Sequence, residues 1–312
     1  MSSRWVGPLA MAVAMGVDRR WGEPPVWAHP VVAMGRYLGS VGPMLTKWPA
    51  AAALLGGVVG WLLGACAVGA AAHGLAHGLP LVLNGGSTLV SDVVLGVVLG
   101  LLLKPLLAWR MLRDEVAAIE CALTRSVDEG RTSLQRLVSR DVQQLDETAV
   151  RESAIESLAE NLNDSVVAPL FWFAVGGLGA AAVYRFANTA DAMWGYRGRY
   201  EWAGKWAAKA DDVLSWLPAR LTALLLCLAA GRWPGWTPLR AQARITPSPN
   251  GGWPMGAMAL LLGVRLSKPG VYVLNERGRL VDASDSAVAL RWSGRAAWLA
   301  SLAASCWMAA SP

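Results

Sequence analysis

The stretch 151-RESAIESLAENLNDSVVAPLFWF-173 decides how the chain is read. Its first half carries Glu152, Glu156, Glu160 and Asp164, one acid every fourth residue. That spacing lines them along one side of a helix, where like charges repel and weaken it. The second half, from Val166, is an apolar run that continues to Ala187. A polar ridge therefore abuts a membrane-like segment, and Asn161, Asn163 and Asp164 sit at the junction. Polar groups there are costly unless they face a cavity. Carboxylates and amides are oxygen ligands suited to Mg2+, which binds through one or two carboxylates plus substrate phosphates. Glu156, Glu160 and Asp164 are the candidate metal ligands; a solvated helix face is the plainer alternative.

Working outward, the 312 residues are 54% hydrophobic and 16% charged, with a mean hydropathy of +0.37. Soluble domains carry about 25% charged residues. Apolar segments at 49–72, 88–111, 166–187, 213–230 and 289–311 approach the roughly 20 residues a membrane helix needs. The expectation is an all-α integral membrane protein, a single membrane-embedded domain over 1–312. Trp5 to Val17 reads as a short retained membrane segment rather than a secretory signal, because a Pro-, Gly- and charge-rich stretch resembling a structured loop follows it. Pro169, Pro218 and the glycines of 176-GGLG-179 predict that some transmembrane helices are kinked or re-entrant. Gly56, Gly60 and Gly64 form a small-residue ridge for helix packing.

Charge is unevenly spread. Of 22 acids, 12 lie between Arg113 and Ser165, beside six basic residues. This stretch is expected to be a cytoplasmic amphipathic helical insertion. Arg19, Arg20, Arg36 and Lys47 place the loop 18–48 in the cytoplasm, and 73–87, with no Lys or Arg, outside. Nucleic acid is not an expected partner, because the basic residues fall in short loops between apolar runs. Four cysteines without a C-x-x-C suggest neither a disulfide framework nor a zinc site. The alternation in 270-GVYVLNERGRLVDASD-285 predicts a small hairpin around Gly278, outside the membrane.

No P-loop is present: 198-GRYEWAGKW-206 has the wrong spacing and no Ser or Thr after Lys205. GGLGAA lacks a preceding strand, and His73 with His77 reads as incidental. Three polar clusters flank apolar segments instead. The run 184-YRFANTADAMWGYRGRY-200 offers Arg185, Asn188, Asp191, Tyr196 and Arg197; 209-KADDVLSWLPARL-221 offers Asp211, Asp212 and Arg220. In 246-TPSPNGGWPMGAM-258, Ser248 and Asn250 adjoin glycines that allow close backbone approach to a ligand. Each alone could be a loop or cap. Together they supply acids for a metal and arginines for phosphate, the make-up of an enzyme handling phosphorylated substrates.

Five blocks in order, 18-DRRWGEPPVWAHPVVAMGR-36, 156-ESLAENLNDSVVAPLFW-172, 188-NTADAMWGYR-197, 211-DDVLSWLPARLTAL-224 and 248-SPNGGWPMGAMA-259, carry a family resemblance over nearly the whole chain. The sequence resembles the CobD/CbiB family, the adenosylcobinamide-phosphate synthases of cobalamin biosynthesis. Glu23 stands where Asp is usual and Gly251 where Ala is usual. The resemblance implies ATP- and Mg2+-dependent amide formation between adenosylcobyric acid and aminopropanol phosphate, or a similar amino-alcohol arm. It implies Glu160, Asp164 and Asp191 as catalytic residues. Substrate and phosphate binding would fall to Asp18, His29, Arg36, Arg185, Asn188, Tyr196, Arg197, Asp212, Arg220, Ser248, Asn250 and Trp253. It further implies a multi-pass protein of the inner or plasma membrane with its site facing the cytoplasm. Other membrane-associated cobamide-assembly enzymes, or a homo-oligomer, would be its partners. The 17 Trp could pack on the corrin ring, although interfacial Trp ordinarily anchors a protein in the bilayer. The rival class is a transporter or regulatory membrane protein on the same scaffold.

Overall fold

The computed structural model describes residues 4–82, 89–196 and 198–310. In chain order the helices are α1 (Val6–Trp21), α2 (Pro30–Leu45), α3 (Ala50–Val82), α4 (Leu89–Leu103), α5 (Trp109–Leu123), α6 (Val127–Leu134), α7 (Glu147–Leu162), α8 (Ala168–Trp194), α9 (Lys205–Leu214), α10 (Trp216–Ala230), α11 (Trp236–Ala243), α12 (Gly252–Leu262) and α13 (Ala283–Ala310). Two short strands, β1 (Leu266–Lys268) and β2 (Tyr272–Leu274), two 3-10 turns at Val26–Ala28 and Lys104–Leu106, and a π turn at Asn163–Val167 complete the described elements. These elements fall into two compact units. Unit 1 draws on residues 1–108, 168–215 and 301–312, and unit 2 on 109–167 and 216–300.

Three helical stretches, Ala50–Leu79, Leu89–Leu123 and Glu147–Trp194, are long and apolar enough to cross a membrane, and a fourth joins them if α9 and α10 form one bent span. The expected span at 289–311 is not among them; Arg291, Arg295 and the serines of α13 dilute its apolar content. At 16 residues α1 is also too short.

In unit 1, α1 packs on α4, where an added Cβ on Gly100 would come within 2.6 Å of the Ala10 carbonyl oxygen. The Gly56–Gly60–Gly64 ridge of α3 packs as expected: side chains on these glycines would collide with Leu45 and Trp48, press on Val41, and collide with Phe186. The kink expected in α8 lies at Gly176 (φ −142°) and Gly177 (φ 66°, ψ −161°), the latter a conformation that glycine adopts without steric cost. Two expected loops are largely helix. Within 18–48, α2 buries Met34, Leu38, Gly42 and Leu45 along one side, with His29 as N-cap and Pro30 in its first turn. Its small residues hid the apolar stripe. Within 73–87, α3 runs on to Val82, because Ala and Leu outweigh two glycines; 83–88 lie outside the described residues.

Unit 2 contains the acidic stretch, which is helical as expected. Leu112, Val116 and Ile119 of α5 are buried at helical spacing, each contributing about 1.5–3 kcal/mol as an upper figure. Arg151 of α7 binds Glu120 of α5 at 2.8 Å and Glu147 at 2.7 Å. Ser126 caps α6 through the Glu129 N–H, and Asp146 caps α7 through the Ala149 N–H. The first nine residues of α12, Gly252 to Leu260, are buried with the exception of half-buried Leu260. The hairpin forms earlier than expected: β1 and β2 pair antiparallel, Leu266 with Leu274, around Pro269 and Gly270. Gly278 instead closes a tight turn, its N–H donating to the Asn275 carbonyl at 2.7 Å.

Candidate active site

Glu152, Glu156 and Glu160 share one side of α7, but their surroundings differ. Glu152 is 1% exposed and holds the hairpin, 3.4 Å from Arg265 Nε and hydrogen-bonded by the Ser267 hydroxyl. Glu156, 4% exposed, lies 3.7 Å from Arg140. It lines a polar cavity of about 150 Å³ with Glu160, Asn161, Arg140, Lys268 and Tyr272. Glu156 Oε1 and Arg140 Nε and Nη1 are buried without a hydrogen-bond partner, so this ion pair leaves much of its bonding capacity unused. Burial, followed by the charges of Glu156 and Glu160, raises the Tyr272 phenol well above its ordinary value. It therefore stays a neutral hydroxyl, 3.6 Å from Met255 Sδ.

Asp164, one turn beyond Glu160, is not among the residues that line this cavity. A π turn, Asn163–Val167, begins just before it, and the wider winding there ends the four-residue register. Pro169, which has no N–H to donate, follows directly. Asp164 accepts from Asn163 Nδ2 at 2.8 Å, and the Thr222 hydroxyl donates to Asn163 Oδ1 at 3.1 Å. Among the described residues no group of three or more His, Cys, Asp or Glu could hold a metal ion. A cavity with two carboxylates and unpartnered buried oxygen fits Mg2+ that takes its other ligands from water and substrate phosphate.

The turn before α12 closes on the same acids. The Ser248 hydroxyl accepts the Asn250 and Gly251 N–H groups, each at 3.2 Å. A Cβ on Gly251 would lie 3.0 Å from Glu160 Oε1, so the missing methyl gives that carboxylate room. Arg220 donates to Asn250 Oδ1 at 2.9 Å and to the Trp216 and Pro249 carbonyls. Its guanidinium lies 4.4 Å from the Trp216 ring centroid and 4.8 Å from that of Trp253. Unit 2 thus brings together Glu156, Glu160, Arg220, Ser248, Asn250 and Trp253. Arg140, Lys268 and Tyr272 were missed by sequence reasoning; Arg140 as one of few bases in an acidic stretch was the signal available.

Unit 1 holds the remaining candidates. Fully buried Asp18 and partly exposed Glu23 lie 3.4 and 3.0 Å from Lys104 Nζ. His29 donates from Nε2 to Glu23 at 2.9 Å while Nδ1 accepts the Val31 N–H, which fixes a neutral tautomer. Lys104 was missed because one lysine in an apolar run gives no periodic signal. On α8, Arg185 donates to Asn188 at 3.1 Å, and half-buried Asp191 lies a turn further on. Arg36 and Tyr196 are exposed, Asp212 is half-buried on α9, and Arg197 lies outside the described residues. A cavity of about 800 Å³ in this unit is lined almost wholly by apolar side chains, among them Met34, Leu63, Leu101 and Phe186. His73 and His77 stack at 3.8 Å on α3, and all four cysteines are unpaired thiols.

The family model for the CobD/Cbib protein matches residues 11–299. The chain belongs to the CobD/CbiB family. Among its relatives, the cobalamin biosynthesis protein CobD of Brucella anthropi is 36% identical, over 91% of this chain and 92% of that protein. The probable cobalamin biosynthesis proteins CobD of Pyrococcus furiosus and Pyrococcus abyssi are 37% and 41% identical, each over 85% of this chain and 86% and 84% of their own length. No solved structure matches the chain.

Proposed function

We propose that this CobD/CbiB protein is a membrane enzyme of cobalamin biosynthesis that uses ATP to join adenosylcobyric acid to aminopropanol phosphate, or a related amino alcohol, through an amide. One observation carries the reading: buried Glu156 keeps an unpartnered oxygen beside a small polar cavity that also holds Glu160, Arg140 and Lys268. At about 150 Å³ the cavity is below the roughly 300–1,000 Å³ of sites that enclose whole ligands. It suits a phosphoryl group, with the corrin ring outside.

A carboxylate oxygen is a poor leaving group, so the substrate acid must first be activated. Attack of that oxygen on the γ-phosphorus of ATP gives an acyl phosphate and ADP. The amine then attacks the acyl carbon, phosphate leaves with one former carboxylate oxygen, and the amine proton passes to a protein carboxylate, which this reading takes to be Glu160. Arg140 and Lys268 oppose the charge on the transferred group. Mg2+, when bound, would be held by Glu156 and Glu160 and would offset the negative charge of the phosphates. The membrane-crossing helices fit a multi-pass protein, and the basic loops favour a site facing the cytoplasm.

Purified protein in detergent with both substrates and Mg-ATP tests the reading. Amide product that requires ATP supports it. In sealed vesicles, corrinoid movement without bond formation would return the chain to the transporter class.

A further inference from the structure

Unit 2 carries a row of indoles that the reaction chemistry does not use. Trp233 and Trp236 lie nearly parallel, 20° apart with centroids at 6.3 Å, and Trp236 meets Trp253 at 5.4 Å. The row grades from exposed to buried: Trp233 is 53% exposed, Trp236 49% and Trp253 8%. Arg220 lies over Trp253 and Trp216, and Trp216 is again exposed at 55%. Three side-chain hydrogen bonds fix this arginine to the Trp216 and Pro249 carbonyls and Asn250.

We propose that Trp233, Trp236 and Trp253, with Arg220 and Trp216 beside them, form the platform on which the ring of the corrinoid substrate rests while its carboxylate reaches Glu160. This rests on the amide-ligase reading and adds the residues that hold its largest substrate. Continuity with the polar cavity carries the argument. Trp253 is the second residue of α12, and two positions earlier Gly251 makes its close approach to Glu160. The aromatic row therefore ends where the reactive group must lie. A corrin is a large ring system whose apolar face suits stacked indoles, and its rim of amide carbonyls suits guanidinium donors. Of the five N–H groups of a guanidinium, the three named bonds of Arg220 occupy three. Membrane anchoring, the usual role of exposed Trp, calls for separate indoles at headgroup depth. It does not call for a row that leads into a buried polar turn.

The test is equilibrium dialysis of adenosylcobyric acid, read by its visible absorbance, against purified full-length protein without ATP. Trp236→Ala and Trp233→Ala should each weaken corrinoid binding about tenfold, and Trp236→Phe should recover most of it. In turnover, Trp236→Ala should raise KM for the corrinoid and leave KM for ATP unchanged. Corrinoid binding unchanged in both alanine variants overturns the platform while leaving the ligase reading standing. Variants that bind corrinoid as wild type does and lose only the stabilisation that added phospholipid gives the detergent-solubilised protein overturn it in favour of membrane anchoring. Wild-type protein that binds no corrinoid overturns the ligase reading itself.

Discussion

Both units bury carboxylates beside cations, and they treat the charge differently. In unit 1, Lys104 lies between Asp18 and Glu23, and His29 is held from both sides by Glu23 and the Val31 N–H. In unit 2, Glu156 sits 3.7 Å from Arg140, and both groups keep unpartnered atoms beside a cavity. Buried charges survive only when paired or neutralised. The first set answers that requirement with mutual ion pairs, though Glu23 Oε1 and Lys104 Nζ keep hydrogen-bonding capacity as well. The second set differs in lining a polar cavity of about 150 Å³, as functional sites do. Burial of an acid therefore says little about function until the space beside it is described.

The largest effect should come from breaking the open site. Glu160→Ala and Glu156→Gln should lower amide synthesis by about 10²–10⁴-fold with thermal unfolding in detergent near wild type. Near-normal turnover in both would make these buried acids structural rather than catalytic. The Lys104 network should respond the other way. Lys104→Ala leaves Asp18 buried without its cation and should cost about 3–5 kcal/mol of stability, with turnover per folded molecule preserved. Turnover lost at unchanged stability would move Asp18 and His29 from the framework into substrate binding.

Gly251→Ala sharpens the contrast at one atom. The new methyl would sit 3.0 Å from Glu160 Oε1 and 3.1 Å from Met255 Cε. Side-chain ends can yield, and Ala is the usual residue of the family here, so the expected result is a kcat within about twofold of wild type with corrinoid binding intact. A kcat lost by an order of magnitude would mean that Glu160 has no room to move in this chain. The smallest effect concerns Tyr272, whose phenol is raised by burial. A raised folded pKa gives stability that is present below the unfolded value near 10 and is lost as pH climbs above it. Tyr272→Phe should therefore flatten the alkaline stability loss above about pH 10 and change little at neutrality. An alkaline profile identical to wild type would show that Tyr272 does not titrate in that range.

The legible parts of this molecule were those with a local period. The i, i+4 acids placed Glu152, Glu156 and Glu160 on one side of α7, and the glycine ridge of α3 packs as its spacing required. The break at Gly176–Gly177 followed from paired glycines. What failed depended on partners distant in sequence or on local rewinding. Asp164 falls in a π turn, which four-residue counting does not register. Arg140, Lys268 and Tyr272 reach the cavity from separate segments, and Lys104 meets an acid 86 positions earlier. No spacing rule announces such meetings. The hairpin was read one turn late because Gly278 carries a turn of its own.

The most direct measurement follows oxygen. Adenosylcobyric acid carrying two ¹⁸O atoms in its reactive carboxylate is turned over with ATP and the amino-alcohol phosphate, and the released inorganic phosphate is examined by mass spectrometry. The account predicts one ¹⁸O atom in phosphate for each amide formed, because the carboxylate oxygen attacks the γ-phosphorus and leaves with it. Label appearing in AMP, or amide formed with no label transferred to phosphate, would contradict the account.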